Sequence, residues 1–296
     1  MPRPFGIAPP GFQLPDETHV GAVRLQVGDL RRSLEFYSTV LGLRVLSQSA
    51  GAAALGPQAD GRPLVRLHEK PGVTPAPRRG AFGLYHFAIL LPERAALGRF
   101  TTHLAATNAR VGMADHLVSE SLYLSDPDGL GIEVYADRPP STWRHADREL
   151  AMTTDPLDVR SLIAAGGDRP WEGAPAGTTM GHLHLHVGSL DQAEAFYHAG
   201  LGLDKTVWGY PGALFLSAGG YHHHLGTNTW SAGPAATDQQ ARLLEWELIL
   251  PRPGDAADAA HSLRDAGYNP EDTGEGWIAA DPWGTQLRIA SSPSPR

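Results

Sequence analysis

The chain has 296 residues, 42% of them hydrophobic, a length and composition that predict two ordinary domains, each with its own core. It contains no cysteine, which excludes disulfide frameworks, thiolate zinc sites, iron–sulfur clusters and cysteine nucleophiles. Any metal must therefore be bound through His and carboxylate side chains. A formal net charge of -8 excludes the basic surface that nucleic-acid binding needs, so a small, uncharged or weakly charged substrate fits better.

Residues 1–17 are rich in proline and are expected to form a frayed N-terminal arm. They lack the charged segment followed by an apolar core that a secretory signal has. No apolar run approaches the roughly 20 residues that a membrane span needs. We therefore expect a cytoplasmic protein with neither a nucleic-acid partner nor a membrane partner, while a homo-oligomer is left open.

Two halves of the chain repeat each other. Placing Gly28 on Gly188 aligns VRLQVGDLRRSLEFYSTVLGL (23–43) with LHLHVGSLDQAEAFYHAGLGL (183–203) without a gap. Each segment alternates apolar and polar residues like a strand, then continues with apolar residues at helical spacing, which Gly42 or Gly202 is expected to end. Shorter strand-like runs follow. The chain thus contains a duplication whose unit is a strand, a helix and then several strands.

Four such units divide the chain, and they begin near Val20, Tyr85, Gly181 and Leu244. A proline-bearing stretch separates the second unit from the third and contains one helix-like segment, 157–165, with no sign of chemistry. We expect an N-terminal domain of two units over 18–138, a linker over 139–179 and a C-terminal domain of two units over 180–292.

Several ionisable side chains fall on the polar faces of predicted strands. In the third unit His182, His184 and His186 share one face, with leucines on the other. In the second unit His86 lies opposite the apolar face of its strand, and Glu133 interrupts another apolar strand. A carboxylate in such a strand needs a partner, because burying a bare charge is costly. A salt bridge and a metal ion are the two alternatives.

The two aligned segments resemble the opening of glyoxalase and extradiol dioxygenase modules of the vicinal oxygen chelate superfamily, and the resemblance covers most of residues 18–292. The four-unit length is similar to that of type I extradiol catechol 2,3-dioxygenases. The resemblance implies an α+β fold in which four βαβββ modules form two domains with half-open barrel sheets. It also implies His86, Glu133 and His182 as ligands of one divalent metal, a set suited to Fe(II), with manganese, nickel or zinc as alternatives.

A second set of residues, at the spacing of a known signature, points to a particular class of reaction. His116, Tyr123, the turn at 126–129 and Glu133 resemble the extradiol signature, and the departure lies at Ala114. The resemblance implies that His116 and Tyr123 hydrogen-bond the catecholate and the oxygen, and ring opening does need positioned proton donors and acceptors. The alternative is that Tyr123 only packs in a strand and that His116 lies in a surface loop.

A run of histidines in the third unit supplies a further candidate. If residues 222–224 lie on a strand, His222 and His224 share one face. Extradiol enzymes place an acid/base histidine in the corresponding strand, so the resemblance favours His224 as a proton shuttle, with His222 as the alternative and His223 structural. Glyoxalase-like enzymes place a metal ligand there, so this run does not separate the two classes.

The equivalent positions of the first and fourth units are substituted. Ala22 stands where a histidine is expected, and Glu245 and Arg288 match His86 and Glu133. Glu245 and Arg288 cannot bind iron together but can form an ion pair. We therefore expect units two and three to pair around the metal, and units one and four to pair around a metal-free face.

These observations predict an Fe(II)-dependent extradiol dioxygenase that opens the ring of a catechol-type aromatic diol with O2. The alternative among enzymes is a glyoxalase-like metal-dependent isomerase or lyase. Outside enzymes it is a small-molecule binding protein of the same fold, which has no need for a complete His/His/Glu set. His116 and Tyr123 favour oxygen chemistry.

Overall fold

A computed structural model describes residues 5–59, 61–77, 81–107 and 109–292. Its strands are β1 (His19–Val27), β2 (Arg44–Ser49), β3 (Ala52–Gly56), β4 (Val65–Glu69), β5 (Gly83–Leu90), β6 (Gly112–Asp115), β7 (Ser119–Ser125), β8 (Gly131–Asp137), β9 (His145–Ala146), β10 (Glu149–Leu150), β11 (Thr179–His186), β12 (Asp204–Val207), β13 (Ala213–Ser217), β14 (Leu225–Asn228), β15 (Arg242–Leu250), β16 (Glu271–Asp272), β17 (Trp277–Ala280) and β18 (Gln286–Ser291). Its helices are α1 (Leu30–Thr39), α2 (Arg94–Ala106), α3 (Val159–Gly166), α4 (Leu190–Ala193, continued by a π-helical turn over Glu194–Gly200) and α5 (Pro253–Asp265), with a 3₁₀ turn at Pro140–Thr142.

Each of the four units has the order strand, helix and three strands. The first helix begins where the Asp29 side chain accepts a hydrogen bond from the Arg32 backbone N–H at 2.9 Å. Just after the helices of the first and third units, Gly42 and Gly202 adopt φ of +70° and +97°. Only glycine reaches these angles without strain, so both helices end there, as the spacing predicts.

Two eight-stranded mixed sheets carry the fold. Sheet A has the order β12-β13-β14-β11-β5-β8-β7-β6, and sheet B has the order β16-β17-β18-β15-β1-β4-β3-β2. The opening strands meet antiparallel in both, β11 against β5 in sheet A and β1 against β15 in sheet B. The α+β fold of four βαβββ modules is therefore confirmed, and so is the pairing of unit two with three and of unit one with four.

Each sheet takes four strands from each half of the chain. Each sheet therefore combines both halves of the chain. The division into domains over 18–138 and 180–292 remains a prediction.

The N-terminal arm and the linker are more ordered than the sequence suggests. From Phe5 onward the arm packs against the protein: Phe5 and Leu14 are buried, and Ile7 exchanges backbone hydrogen bonds with Lys205 at 2.8 and 2.9 Å. The expectation of a frayed arm is wrong for these residues. In the linker, the predicted helix appears as α3 and packs on α2.

Two matching hydrogen bonds tie consecutive modules together. The Tyr37 hydroxyl donates to Asp126 at 3.1 Å, and the Tyr197 hydroxyl donates to Asp281 at 2.9 Å. Each aspartate also accepts two backbone N–H bonds of its own turn. The Asp-Pro-x-Gly turns therefore join a helix of one module to the next module in sequence.

Candidate metal centre and active site

Three neighbouring strands of sheet A bring the predicted metal ligands together. His86 lies on β5, Glu133 on β8 and His182 on β11, and β5 is hydrogen-bonded to both other strands. The register sets Ala88 opposite both His182 and Glu133. Because side chains alternate along a strand, the apolar residues next to these three in each strand point into the core. His86, Glu133 and His182 share the other face of the sheet.

The three side chains converge on one point. Nε2 of His86 lies 3.0 Å and Nε2 of His182 lies 3.1 Å from the same carboxylate oxygen, Oε2 of Glu133. One ligand atom from each lies within 4.8 Å of the others, and all three residues are at least 95% buried. Strand alternation predicted that the three side chains lie on polar strand faces, the family resemblance implied them as a set, and the tertiary structure brings them together.

The donor set fits a divalent cation. Nε2 of His86 is buried without a hydrogen-bond partner in the described chain, although Glu133 is close. A buried polar atom without a partner is costly, and a cation between the nitrogens and the carboxylate would satisfy it. Two imidazoles and one carboxylate, with room on the cavity side, suit Fe(II) and also admit zinc, manganese or nickel.

The protonation states agree with this assignment. Burial opposes ionisation of Glu133, but the two imidazoles hold its pKa well below its ordinary value. Burial lowers the pKa of His182 to about 4, against the attraction of Glu133. An anionic carboxylate and a neutral imidazole are the forms that bind metal.

A cavity of about 300 Å³ adjoins the three ligands. Its walls are formed by Tyr85, His86, Gly112, Met113, Ala114, His116, Tyr123, Glu133, Met152, Thr153, Thr154, His182, His184, Tyr210, Phe215, His223 and Trp230. This lining combines ionisable side chains with aromatic and aliphatic ones. Pockets of this kind are where small molecules bind.

His116 and Tyr123 form a hydrogen-bonded pair in this cavity. Nδ1 of His116 lies 2.5 Å from the carbonyl oxygen of Thr153, and its Nε2 lies 2.6 Å from the Tyr123 hydroxyl. A carbonyl only accepts, so Nδ1 must donate, and in the neutral ring Nε2 accepts the Tyr123 proton. Burial and the nearby Glu133 raise the pKa of Tyr123 well above its ordinary value. Neither residue is mere packing, because both face the cavity.

The histidine run is arranged differently from expectation. Strand β14 begins only at Leu225, and residues 222–224 lie in a bend before it. The expectation that His222 and His224 share one face of a strand is therefore wrong. His224 is outside the cavity lining, and its Nδ1 accepts the Ala218 backbone N–H at 3.1 Å. His223, expected to be structural, lines the cavity with its ring 4.1 Å from that of His182.

A chain of hydrogen bonds holds His223 in place. His222 is fully buried, with Nε2 at 2.9 Å from the Asp137 carboxylate and Nδ1 at 2.7 Å from Nδ1 of His223. Asp137 only accepts when ionised. With both rings neutral, His222 therefore donates to Asp137 and accepts from His223, which leaves Nε2 of His223 as a free acceptor.

Sequence reasoning missed part of the site. Met152, Thr153 and Thr154 belong to the linker, in which the sequence analysis named no site residue, yet all three line the cavity. Trp230 and Tyr210 come from segments that flank strands of the third module. No spacing signal points to them, because residues in loops follow no strand or helix period.

His184 and His186, whose roles the sequence leaves open, now have distinct surroundings. His184 is buried in the cavity wall and its Nε2 has no hydrogen-bond partner in the described chain. A side chain at Gly226 would meet the His184 ring at 2.9 Å, so this glycine makes room for it. His186 is half-buried and its Nδ1 lies 2.7 Å from Oδ1 of Asn228.

Sheet B carries an ion pair where sheet A carries the ligands. Arg288 donates from Nε and Nη2 to the two oxygens of Glu245, at 2.9 and 3.1 Å. The expected ion pair is confirmed, in a bidentate geometry.

The fold, together with the candidate metal site, is that of a vicinal oxygen chelate protein. The profile of the Glyoxalase/Bleomycin resistance protein/Dioxygenase superfamily matches residues 19–134. A protein of Bacillus subtilis (strain 168) named catechol-2,3-dioxygenase is 44% identical over 274 residues, which cover 90% of this chain and 95% of that protein. The chain belongs to this superfamily.

Solved structures share the fold at low sequence identity. A candidate dioxygenase from Bacillus subtilis superposes with a TM-score of 0.65 at 16% identity, covering 95% of this chain and 87% of that one. Glyoxalase I from Zea mays superposes with a TM-score of 0.54 at 17% identity, covering 93% and 92%. In the part of the chain that the structure describes, no helix has the length and apolar character to cross a membrane.

Proposed function

We propose that the protein is an Fe(II)-dependent extradiol dioxygenase that opens the ring of a catechol-type aromatic diol with O2. The observation that carries the proposal is the convergence of His86, Glu133 and His182 beside a cavity that also holds the His116–Tyr123 pair. The 44% identity to a protein named catechol-2,3-dioxygenase over 90% of the chain supports it. Iron(II), when bound, supplies open positions for two adjacent hydroxyls and for O2.

The His116–Tyr123 pair can take a proton from the diol. The Tyr123 proton is directed at Nε2 of His116, so the Tyr123 oxygen remains free to accept a hydrogen bond from a substrate hydroxyl. As that hydroxyl gives up its proton to Tyr123, Tyr123 can pass its own to His116, whose Nδ1–H is held by Thr153. The pair thereby orients the diol and stabilises its anionic form.

His223 is the histidine that we propose for proton transfer from the opposite side, in place of His224. It lines the cavity. The hydrogen bonds from Asp137 through His222 engage Nδ1 of His223, which leaves the lone pair of its Nε2 to accept a proton. His224 is occupied by the Ala218 N–H and does not reach the cavity wall.

Anaerobic loading of the purified protein with Fe(II), followed by oxygen uptake with catechol and absorbance of the ring-opened product, tests the proposal. Stoichiometric oxygen consumption that disappears in Glu133→Ala is expected. Isomerisation of a thiohemiacetal with zinc, nickel or manganese, without oxygen uptake, would instead identify a glyoxalase-like enzyme. Tight binding of a catechol without turnover by any metal form would indicate a binding protein.

A further inference from the structure

His116 lies in the turn that connects β6 to β7, and the backbone of this turn is strained. Leu117, the next residue, has a φ of +68°, in the left-handed region that favours glycine. Its backbone N–H donates to Oδ1 of Asp115 at 2.9 Å, and the His116 N–H donates to the Ser119 carbonyl at 2.9 Å. Leu117 is 38% exposed, so burial of its side chain does not compensate for the strain. The surrounding contacts must therefore hold the turn in this conformation.

The hairpin of β6 and β7 also brings two carboxylates together. Asp115 and Glu120 lie opposite each other in the register of the two strands, and Glu120 is buried. Like charges directly opposite each other destabilise a strand pair. Arg94 binds Glu120 from α2, with Nη2 at 2.9 Å from Oε1. The charge of Asp115 still has to be compensated from elsewhere.

Arg138, which follows β8, joins the two carboxylates. Its Nη2 lies 2.5 Å from Oδ2 of Asp115 and 3.4 Å from Oε1 of Glu120. The Arg138 backbone N–H donates at 2.8 Å to the carbonyl of Val118, the residue that follows Leu117. One residue thus binds the strained turn through both its side chain and its backbone.

The position of the His116 ring depends on this turn. Its Nδ1 lies 2.5 Å from the carbonyl oxygen of Thr153, and its Nε2 lies 2.6 Å from the Tyr123 hydroxyl. Asp115 and Asp155 exchange two backbone hydrogen bonds of 2.9 Å, which bring the linker beside β6. Asp115 therefore connects the turn to the carbonyl that fixes the proton of His116 on Nδ1.

We propose that Arg138 is a positioning residue for His116. By binding both carboxylates of the hairpin, it keeps the turn in its strained conformation, so that the His116 ring stays between the Thr153 carbonyl and the Tyr123 hydroxyl. Among the described residues, Arg138 is outside the cavity lining, so it acts through the turn rather than on the substrate. The kinetic part of the inference rests on the proposed function, because His116 affects a rate only if the diol is bound beside it.

The tautomer of His116 tests the inference without turnover. Full-length protein with isotope-labelled histidine is purified without added metal, and long-range nitrogen–proton NMR correlations are recorded, with His116 assigned from the spectrum of His116→Gln. We expect the parent protein to carry the proton on Nδ1. In Arg138→Met the two carboxylates repel each other and the hydrogen bond to Thr153 loosens. The tautomer ratio should then shift by about tenfold toward Nε2–H, the usual net contribution of one hydrogen bond.

Further variants separate charge from general destabilisation. Arg138→Lys should keep the parent tautomer, because a single Nη2 serves both carboxylates and a point charge can replace it. Asp115→Asn combined with Arg138→Met removes the repulsion, keeps an oxygen for the Leu117 N–H and should return the ratio toward the parent value. Arg32→Met is the matched control. Arg32 donates to the buried Asp128 at 2.6 Å, beyond the other end of β7, so its loss should lower stability without moving the tautomer.

Oxygen uptake by the Fe(II)-loaded protein with catechol measures the consequence for turnover. Arg138→Met should lower kcat by about tenfold at unchanged iron content, less than the 10²- to 10⁴-fold cost of removing an acid or base outright. When Arg138→Met is added to His116→Ala, no further loss is expected, because the effect passes through His116. Arg32→Met should keep the kcat of the parent protein.

An unchanged His116 tautomer in Arg138→Met, or an equal shift in Arg32→Met, overturns the inference. A full additional loss of kcat when Arg138→Met is added to His116→Ala does the same. If Arg138→Met does not fold, Asp115→Ala gives the same test, since it removes the carboxylate that Arg138 and the Leu117 N–H share. A shifted tautomer in a protein that cleaves no catechol with any metal supports the positioning role and overturns the proposed function instead.

Discussion

Sheets A and B carry different ionisable side chains at equivalent strand positions. The charges of these side chains are compensated in different ways in the two sheets. In sheet A, His86 and His182 converge on Glu133, a set that fits a shared cation. In sheet B, Glu245 and Arg288 neutralise each other through two hydrogen bonds. The same module can thus carry a metal site or an ion pair. The capacity of such a module to hold a metal therefore depends on a few side chains rather than on the fold itself.

The largest effect on metal content and activity should come from giving sheet A the residues that sheet B carries at the equivalent positions. The double variant His86→Glu with Glu133→Arg replaces two ligands by the pair found at the equivalent positions. We expect metal content and catechol-dependent oxygen uptake to fall to background while the fold persists, because the new pair neutralises itself. Metal analysis and circular dichroism check both points. Stoichiometric iron in the folded double variant would show that the ligand set is wrong.

Substituting cavity residues that are not candidate metal ligands should lower the rate of oxygen uptake but leave the metal content unchanged. Tyr123→Phe and His116→Ala should each lower kcat by about 10²- to 10⁴-fold, the usual cost of losing a positioned acid or base. Tyr123→Phe should also raise KM, because it loses a hydrogen bond to the diol. Iron content equal to that of the parent protein is the control. Near-normal oxygen uptake in both variants would remove them from the reaction.

The histidine run allows a direct comparison of neighbours. His223→Ala should lower kcat by about 10²-fold with the metal retained, whereas His224→Ala should affect stability more than rate, since its ring contacts Ser217 and Ala218 inside the fold. Parallel measurements of oxygen uptake and thermal unfolding separate the two. A larger rate loss in His224→Ala than in His223→Ala would restore His224 as the proton shuttle.

The ion pair of sheet B should matter for stability rather than for chemistry. Glu245 is 95% buried, so Arg288→Ala leaves an uncompensated carboxylate and should cost about 3 kcal/mol of unfolding free energy. The double variant Glu245→Leu with Arg288→Met removes both charges and should recover most of that loss. Denaturant unfolding measures both, and oxygen uptake should persist in the double variant. An equal loss in the single and double variants would contradict this account.

A pH dependence of stability, rather than a change in activity, should come from the turn that links the first two modules. Burial raises the pKa of Asp126 to about 7, against its hydrogen bonds from Leu130, Asp128 and Tyr37. A pKa raised in the folded state means that this contribution to stability is fully present below the unfolded value near 3.8 and is lost as pH rises through about 7. The melting temperature should fall by a few degrees over that range because of this residue. In Asp126→Asn that part of the pH dependence should vanish, and an unchanged profile would contradict the assignment.

Local sequence pattern was sufficient for the modules and for the strand faces of the candidate ligands, whereas the resemblance to a known family supplied the ligand set itself. Strand alternation placed His86, Glu133 and His182 on the polar faces of their strands. The gap-free repeat identified the duplication, and the recurring pattern of strand, helix and further strands divided it into four units. These features depend on period-two geometry and on glycine at positive φ, which are local properties of the chain. The substituted positions Ala22, Glu245 and Arg288 also indicated, before any coordinates, which units share a sheet.

Only the tertiary structure decided which residues line the cavity. Whether His223 or His224 faces the cavity depends on a bend before β14, and the alternation rule fails where the backbone is not extended. Thr153 meets His116 across 37 residues of chain. Trp230, which follows the last strand of the third module, meets Tyr85 at the start of the second. Such contacts depend on the path of loops and of the linker through space, and no local periodicity encodes that path.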